Sequence, residues 1–201
     1  MSQSVTKPTA FTLDQLDWLP WIETIAEAGL SEAELEAIYA EAPNARNSTY
    51  FGTLAHDLPA LIQRTGLFTQ SMRSPGGAPN SDRELAAVAV SRVNGCIYCA
   101  SVHARLYVQY AKNLAQMQRI LDEGNDTSFD SAREQAIVAF AVRLTEDAAG
   151  ITAADLAPMR AAGMNDLEIY DVAQAAAMFA WANRLMQTLG EPIVPQGASG
   201  V

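Results

Sequence analysis

The stretch Gly95-Cys96-Ile97-Tyr98-Cys99-Ala100-Ser101-Val102-His103 holds both cysteines of the chain and one of its two histidines. Two thiols three positions apart can close into a small disulfide, and the thiolate that begins such chemistry is favoured by a helix N-terminus or a neighbouring imidazolium. Thiol redox chemistry is therefore the first activity these residue types suggest. On a helix, positions 96, 99 and 103 share one face. Regular i, i+3 spacing separates Cβ atoms by roughly 5 to 6 Å, wider than the roughly 3.5 to 4.5 Å of a disulfide. Closure is thus easiest with Cys96 at a non-helical cap, and Asn94-Gly95 supplies the break. Both sulfurs then sit in an open first turn, where unpaired N–H groups and the positive end of the helix dipole stabilise a thiolate.

Glu84 enters through a distance argument. In one continuous helix it would lie about 18 Å from Cys96, at roughly 1.5 Å per residue, and do nothing to it. If Asn94-Gly95 is instead a tight turn between antiparallel helices, positions equidistant from residue 95 face one another, and Glu84 falls near His103 to Leu106. The reading is a relay in which Glu84 orients the imidazole, His103 takes a proton from Cys99, and Cys96 resolves the oxidised sulfur as a disulfide. Plainer roles stand beside it. A cysteine in an Ala-rich helix can be a small buried hydrophobe, and Glu84 fits a capping box as well as a base. Zinc is a third reading, but Cys96, Cys99 and His103 give three ligands from one helix with no second pair to close the site. His56 reads as a helix-end residue; Tyr98, Tyr107 and Tyr110 read as packing, and Met178, Phe179 and Trp181 as core or interface.

The elements that must position these residues read as helices. Ala, Leu, Glu, Gln and Met dominate segments punctuated by Gly, Pro, Asn and Asp, and β-branched runs of period two are nearly absent, so the fold class is all-α. Helices are expected over 20–28, 31–41, 47–56, 58–72, 82–93, 96–111, 113–123, 131–147, 152–161 and 166–189. Ser31-x-x-Glu34, Ser81-x-x-Glu84 and Ser131-x-x-Glu134 read as capping boxes, with Thr152 or Asp166 capping later helices. Ser74-Pro75-Gly76-Gly77-Ala78-Pro79-Asn80 is the strongest breaker and sets an N-terminal helical portion apart from the cysteine region. The run 81–89 is echoed at 131–139, and Arg92 at Arg143, but only the first copy leads into cysteines.

With 201 residues, 49% of them hydrophobic, the chain can bury a substantial core. Its formal charge of -10 and its lack of a basic cluster with interleaved aromatics argue against nucleic acid as a partner. No apolar h-region opens the chain and no run approaches the roughly 18 to 20 apolar residues of a membrane span. The expectation is a cytoplasmic protein without membrane contact, where thiols so spaced serve catalysis or metal binding more than a structural disulfide.

The residues Arg83-Glu84-Leu85-Ala86, then Val90-Ser91-Arg92-Val93-Asn94-Gly95-Cys96-x-Tyr98-Cys99-x-x-x-His103, resemble the alkylhydroperoxidase D-like (AhpD-like) branch of the carboxymuconolactone decarboxylase family, in particular its peroxidase-related members. Leu144-Thr145, Ala162-Gly163-Met164-Asn165-Asp166 and Ala182-Asn183-Arg184-Leu185 are similar to that family's C-terminal half, so the likeness covers roughly 45–190. The resemblance implies an all-α fold with the Cys-x-x-Cys at the start of a helix in an antiparallel pair, flanked by an N-terminal helical extension over 1–45 and a tail over 191–201 beyond a domain of 46–190. It implies homo-oligomers (dimers, trimers or hexamers) that reduce organic hydroperoxides without a cofactor or metal, drawing electrons from a dithiol reductant such as a lipoyl-domain protein. Carried over residue by residue, Glu84, Cys96, Cys99 and His103 match the family's relay. Cys99 resembles the peroxide-reactive sulfur and Cys96 the more accessible partner. Tyr98 departs from the pattern, because the best-studied branch has a second histidine there. The decarboxylase branch typically lacks the cysteine pair. The function these signs favour is a thiol-dependent peroxidase; the alternative is a redox-sensing helical module whose disulfide forms without efficient turnover. Small apolar residues on more than one face of the helices near 84–93, 134–144 and 172–182 likewise point to burial between subunits.

Overall fold

Residues 82–91 lie in one helix and every one of them is buried, so this helix runs through the middle of the molecule rather than along its surface. In the computed structural model, which describes residues 5–42, 45–46 and 48–195, the elements are β1 (Asp17–Pro20), α1 (Glu32–Glu41), α2 (Thr49–Leu54), α3 (Leu58–Arg73), α4 (Asn80–Val93), α5 (Ile97–Ala111), α6 (Leu114–Glu123), α7 (Ala132–Glu146), α8 (Ala157–Ala161), α9 (Asp166–Leu189) and β2 (Gly190–Ile193). The fold is helical. Helix α4 packs against α5, α7 and α9. Its small side chains, Ala86, Ala87 and Ala89, let those three helices approach closely while Leu85, Val88 and Val90 fill the space between. A second, smaller cluster joins Ile38 of α1 to Leu61 of α3.

The α4–α5 turn sets the geometry that matters for chemistry. The N–H of Gly95 donates to the carbonyl of Arg92 at 3.1 Å and that of Cys96 to Ser91 at 2.8 Å. This is a Schellman closure, and it requires the left-handed backbone that Gly95 adopts at φ 74°. Cys96 then serves as N-cap of α5. One glycine thereby ends one helix, begins the next and runs the two antiparallel.

Sequence expectations fail in instructive places. Residues 20–28 form no helix; Trp18 and Leu19 belong to β1, which pairs antiparallel with β2, and only a single 3-10 turn at Glu27–Gly29 follows. Tertiary contact overrides local propensity there. The Trp18 indole donates to the Met186 carbonyl at 3.0 Å, and a side chain at Gly190 would collide with the Trp18 ring. The expected helix 47–56 ends as an α-helix at Leu54 and continues as a 3-10 turn, while 152–161 divides into a 3-10 turn and the short α8 at Pro158. The Ser31–Glu34 capping box is present. Ser131 accepts the N–H of Glu134 without the reciprocal bond, because the Glu134 carboxylate is bound by the Tyr107 hydroxyl. Asn165, not Asp166, caps α9. Ser81 lies inside α4, whose cap is Pro79, so Glu84 does no capping. The ends of the expected extension and tail at 1–4, 43–44 and 196–201, and the expected helix start at 47, fall outside the described residues.

The breaker at 74–80 is a loop fastened from both sides. Arg83, wholly buried, donates to the carbonyls of Ser74 and Gly76 at 3.0 Å each and to Asp171 of α9 at 2.6 Å. Asp171 in turn accepts the N–H of Ala78 at 2.9 Å. Gly77 passes so close to this carboxylate that a Cβ there would meet it at 1.9 Å.

Candidate active site

The antiparallel turn brings Glu84 of α4 against His103 of α5, whose Nδ1 is hydrogen-bonded to Glu84 Oε2. A carboxylate only accepts, so Nδ1 carries the proton and Nε2 is the nitrogen left for chemistry. Glu84 is fully buried, and its other oxygen lies 2.6 Å from Arg73 Nη1 at the end of α3. The arginine offsets a carboxylate charge that would otherwise be very costly in the core. Phe179 stands edge-on to the imidazole with ring centres 4.2 Å apart, and Phe68 closes the other side at 6.5 Å. The ring is therefore fixed in place and in tautomer.

Both cysteines are free thiols and both are buried, Cys96 3% and Cys99 6% exposed. They are not equivalent. The Cys99 thiol hydrogen-bonds to the Cys96 sulfur, holding the Cys96 thiol below its ordinary range; the N–H groups of Cys99 and Tyr98 in the first turn of α5 and the Asn183 amide act in the same direction. Cys99 is held well above its ordinary range, first by that same bond to Cys96 and then by burial. Of the two, Cys96 is therefore the sulfur that gives up its proton first as pH rises. Cys99, not Cys96, lines a cavity of about 580 Å³ together with His103. Cys96 is accordingly not the more accessible of the two, contrary to what the resemblance implies, because the Schellman turn tucks it under α9.

Sequence reading passed over three polar residues here. Asn183 is fully buried in α9; its Nδ2 donates to Ser91 Oγ at 3.1 Å, its Oδ1 accepts from Asn94 at 3.1 Å, and it stabilises both sulfurs. An asparagine inside the apolar run of α9 was the available signal. Arg73 gave no signal, since its partner Glu84 is eleven positions away across a loop. Arg64 of α3 lies under the rings of Phe68, Tyr50 and Phe51 on the cavity wall. His56 lies away from this cavity, in the 3-10 turn after α2, with Nε2 bonded to the Glu23 carbonyl at 2.7 Å. Tyr98 lines the cavity, whereas Tyr107 is buried and Tyr110 exposed. Among the described residues no cluster of three or more His, Cys, Asp or Glu is placed to hold a metal ion, and no helix is long and apolar enough to cross a membrane.

The electrostatics predict a divided titration. Thiolate absorbance of the reduced protein should rise in two steps, the first below and the second well above the usual thiol range. Cys99→Ala should move the first step up by removing the donor to Cys96, and Cys96→Ala should lower the pKa of Cys99. Two coincident steps at the ordinary thiol value would contradict the assignment.

Residues 59–137, the stretch that carries Glu84, both cysteines and His103, match the sequence model of the Carboxymuconolactone decarboxylase family. Among solved structures, the fold is similar to an alkylhydroperoxidase AhpD core, an uncharacterized peroxidase-related protein from Ralstonia eutropha JMP134. The two share 24% identity over 83% of this chain and 88% of that one, with a TM-score of 0.72. An uncharacterized peroxidase-related protein from Silicibacter sp. TM1040 is similar at 22% identity over 85% and 91%, with a TM-score of 0.69. The debrominase Bmp8 superposes with a TM-score of 0.63 at 18% identity over 77% and 84%. These likenesses show that the fold is AhpD-like. No curated protein matches the chain.

Proposed function

We propose that this protein is a thiol-dependent peroxidase that reduces organic hydroperoxides through a Cys96–Cys99 dithiol/disulfide couple, with Glu84 and His103 handling the proton. The observation that carries the reading is the pair of buried, hydrogen-bonded cysteine sulfurs, one of which faces a cavity beside a carboxylate-held imidazole. His103 takes the proton of Cys99 at Nε2, the nitrogen that Glu84 leaves free, and this produces the cavity-facing thiolate. The Cys99 thiolate attacks the terminal oxygen of the hydroperoxide, the O–O bond breaks, and Cys99 becomes a sulfenic acid. His103, still held by Glu84, passes the proton it took from Cys99 on to the departing alkoxide, which leaves as the alcohol. The Cys96 sulfur then displaces hydroxide from the sulfenic acid, and its own proton completes a water molecule as the disulfide forms. A dithiol reductant of the lipoyl kind returns the pair to thiols by exchange and leaves as its own cyclic disulfide. No cofactor enters this sequence.

The test is steady-state peroxide consumption by the purified protein with dihydrolipoamide in excess, followed by mass spectrometry of the oxidised protein. Continuous turnover and an intramolecular Cys96–Cys99 disulfide are expected. Consumption of one equivalent and no more would make the protein a redox-sensing module instead, and two intact thiols after peroxide exposure would sink both readings.

The exposed apolar residues Leu67 of α3 and Leu167, Tyr170 and Trp181 of α9 support a homo-oligomer, since burial between copies removes them from water at about 25 cal/mol per Å². Sedimentation at micromolar concentration should give a mass of at least twice 21.6 kDa. A single species of monomer mass would refute assembly.

A further inference from the structure

The cavity beside Cys99 contains a cation, Arg64, that has no carboxylate partner among the described residues. Most arginines of this acidic chain pair with a carboxylate: Arg83 with Asp171, Arg133 with Asp82 and Glu168, Arg73 with Glu84. Arg64 has no carboxylate among the described residues. Its Nε is buried without a hydrogen-bond partner, and the Tyr50 hydroxyl, which faces the guanidinium, has no acceptor for its own proton. The two side chains adjoin, the guanidinium 5.8 Å from the centre of the Tyr50 ring, and both line the cavity with Cys99. Burial pushes the Tyr50 hydroxyl up to about 12, so at neutral pH it is a donor. Two unsatisfied donors on one wall of an apolar cavity are a high-energy arrangement unless something accepts from both. The nearby aromatic faces temper the charge but supply no acceptor oxygen.

Charge narrows what the acceptor is. The chain carries a net -10, yet no carboxylate is among the described side chains lining this cavity; Arg64 and Arg73 line it, and the buried Glu84 behind it balances only Arg73. Among the described residues Arg64 is thus a cavity cation with no carboxylate of its own, and its planar fork matches one. Aromatic rings of Phe51, Phe68 and Phe179 form the rest of the wall.

We propose that the cavity selects an aromatic or aliphatic hydroperoxide that bears a carboxylate, with Arg64 and Tyr50 holding the carboxylate while the peroxide end reaches Cys99. This substrate class rests on the peroxidase reading, but the anion site is tested without turnover. Isothermal titration calorimetry on the reduced protein at neutral pH compares 4-isopropylbenzoate with its neutral isostere, 4-isopropylbenzamide. The carboxylate is expected to bind about tenfold tighter or more, the scale of a charge-assisted hydrogen bond in a buried site. Arg64→Met should bring the ratio to about one, Tyr50→Phe should reduce it severalfold, and Arg64→Lys, which keeps the charge but not the fork, should fall between. Equal affinities in the unmodified protein, no binding of either compound, or a preference that survives Arg64→Met would each overturn the proposal. A preference that stands while dihydrolipoamide-driven peroxide consumption is absent would leave the anion site established and remove the peroxidase reading alone. The unmodified protein decides the main comparison, so a folding defect in a variant does not rescue the idea.

Discussion

Glu84→Gln and His103→Asn are each expected to lower kcat/KM for peroxide turnover by about 10²- to 10⁴-fold, the range over which positioned acid–base groups act. Glutamine keeps the shape of the Glu84 side chain but loses the carboxylate that accepts from His103 Nδ1 and aims Nε2 at the reacting atoms. Asparagine at 103 removes the transferable proton itself. Because the two groups act as one unit through their hydrogen bond, the double variant should be little worse than either single one. The relay predicts a specific shape as well as a magnitude: the pH dependence contributed by the imidazole disappears in His103→Asn. If both single variants turn over within threefold of the parent, the Glu84–His103 pair is structural and the proton travels another way.

Asp171→Ala is expected to reduce unfolding free energy by about 3 to 5 kcal/mol, as measured by urea denaturation, because it leaves the fully buried Arg83 guanidinium without its charge partner. The loss extends beyond one ion pair. Asp171 also accepts the N–H of Ala78, so its removal frees the 74–78 loop that Arg83 and Asp171 clamp between α4 and α9. Asp171→Asn keeps an acceptor for Ala78 and should recover part of the loss. A change below about 1 kcal/mol for Asp171→Ala would mean that water or a neighbouring carbonyl satisfies Arg83, against the burial seen here.

The parts of the fold visible in sequence are those decided locally. Asn94-Gly95 specifies its turn because only a residue tolerant of positive φ closes a Schellman motif, and the antiparallel pairing of α4 with α5 follows from the shortness of that turn. From there, the facing of Glu84 and His103 is arithmetic on helical rise. What sequence did not disclose depends on contacts between distant segments. Strand β1 is four residues long and gains its hydrogen bonds from a segment that follows α9, so no local pattern marks it. Arg73, Asn183 and Arg64 reach the cysteine cavity from α3 and α9, and no spacing rule relates those positions to residue 96. The same limit explains Glu84. Ser81-x-x-Glu84 looks like a cap by itself, but the acid is worth more against His103 and Arg73 in the core than at a helix end.

The strand pair also bears on how the chain reaches this structure. The Trp18 indole and the Met186 carbonyl are 168 positions apart, so closing β1 onto β2 before the helices form would pay a large loop entropy for a few hydrogen bonds. The helical hairpin of α4 and α5, by contrast, closes over the three residues Asn94, Gly95 and Cys96. Folding is therefore expected to proceed from the Gly95 turn outward, with the N-terminal segment docking last, onto a helix whose end is already built. The Trp18 environment then reports the final step of assembly and not the formation of the thiol site.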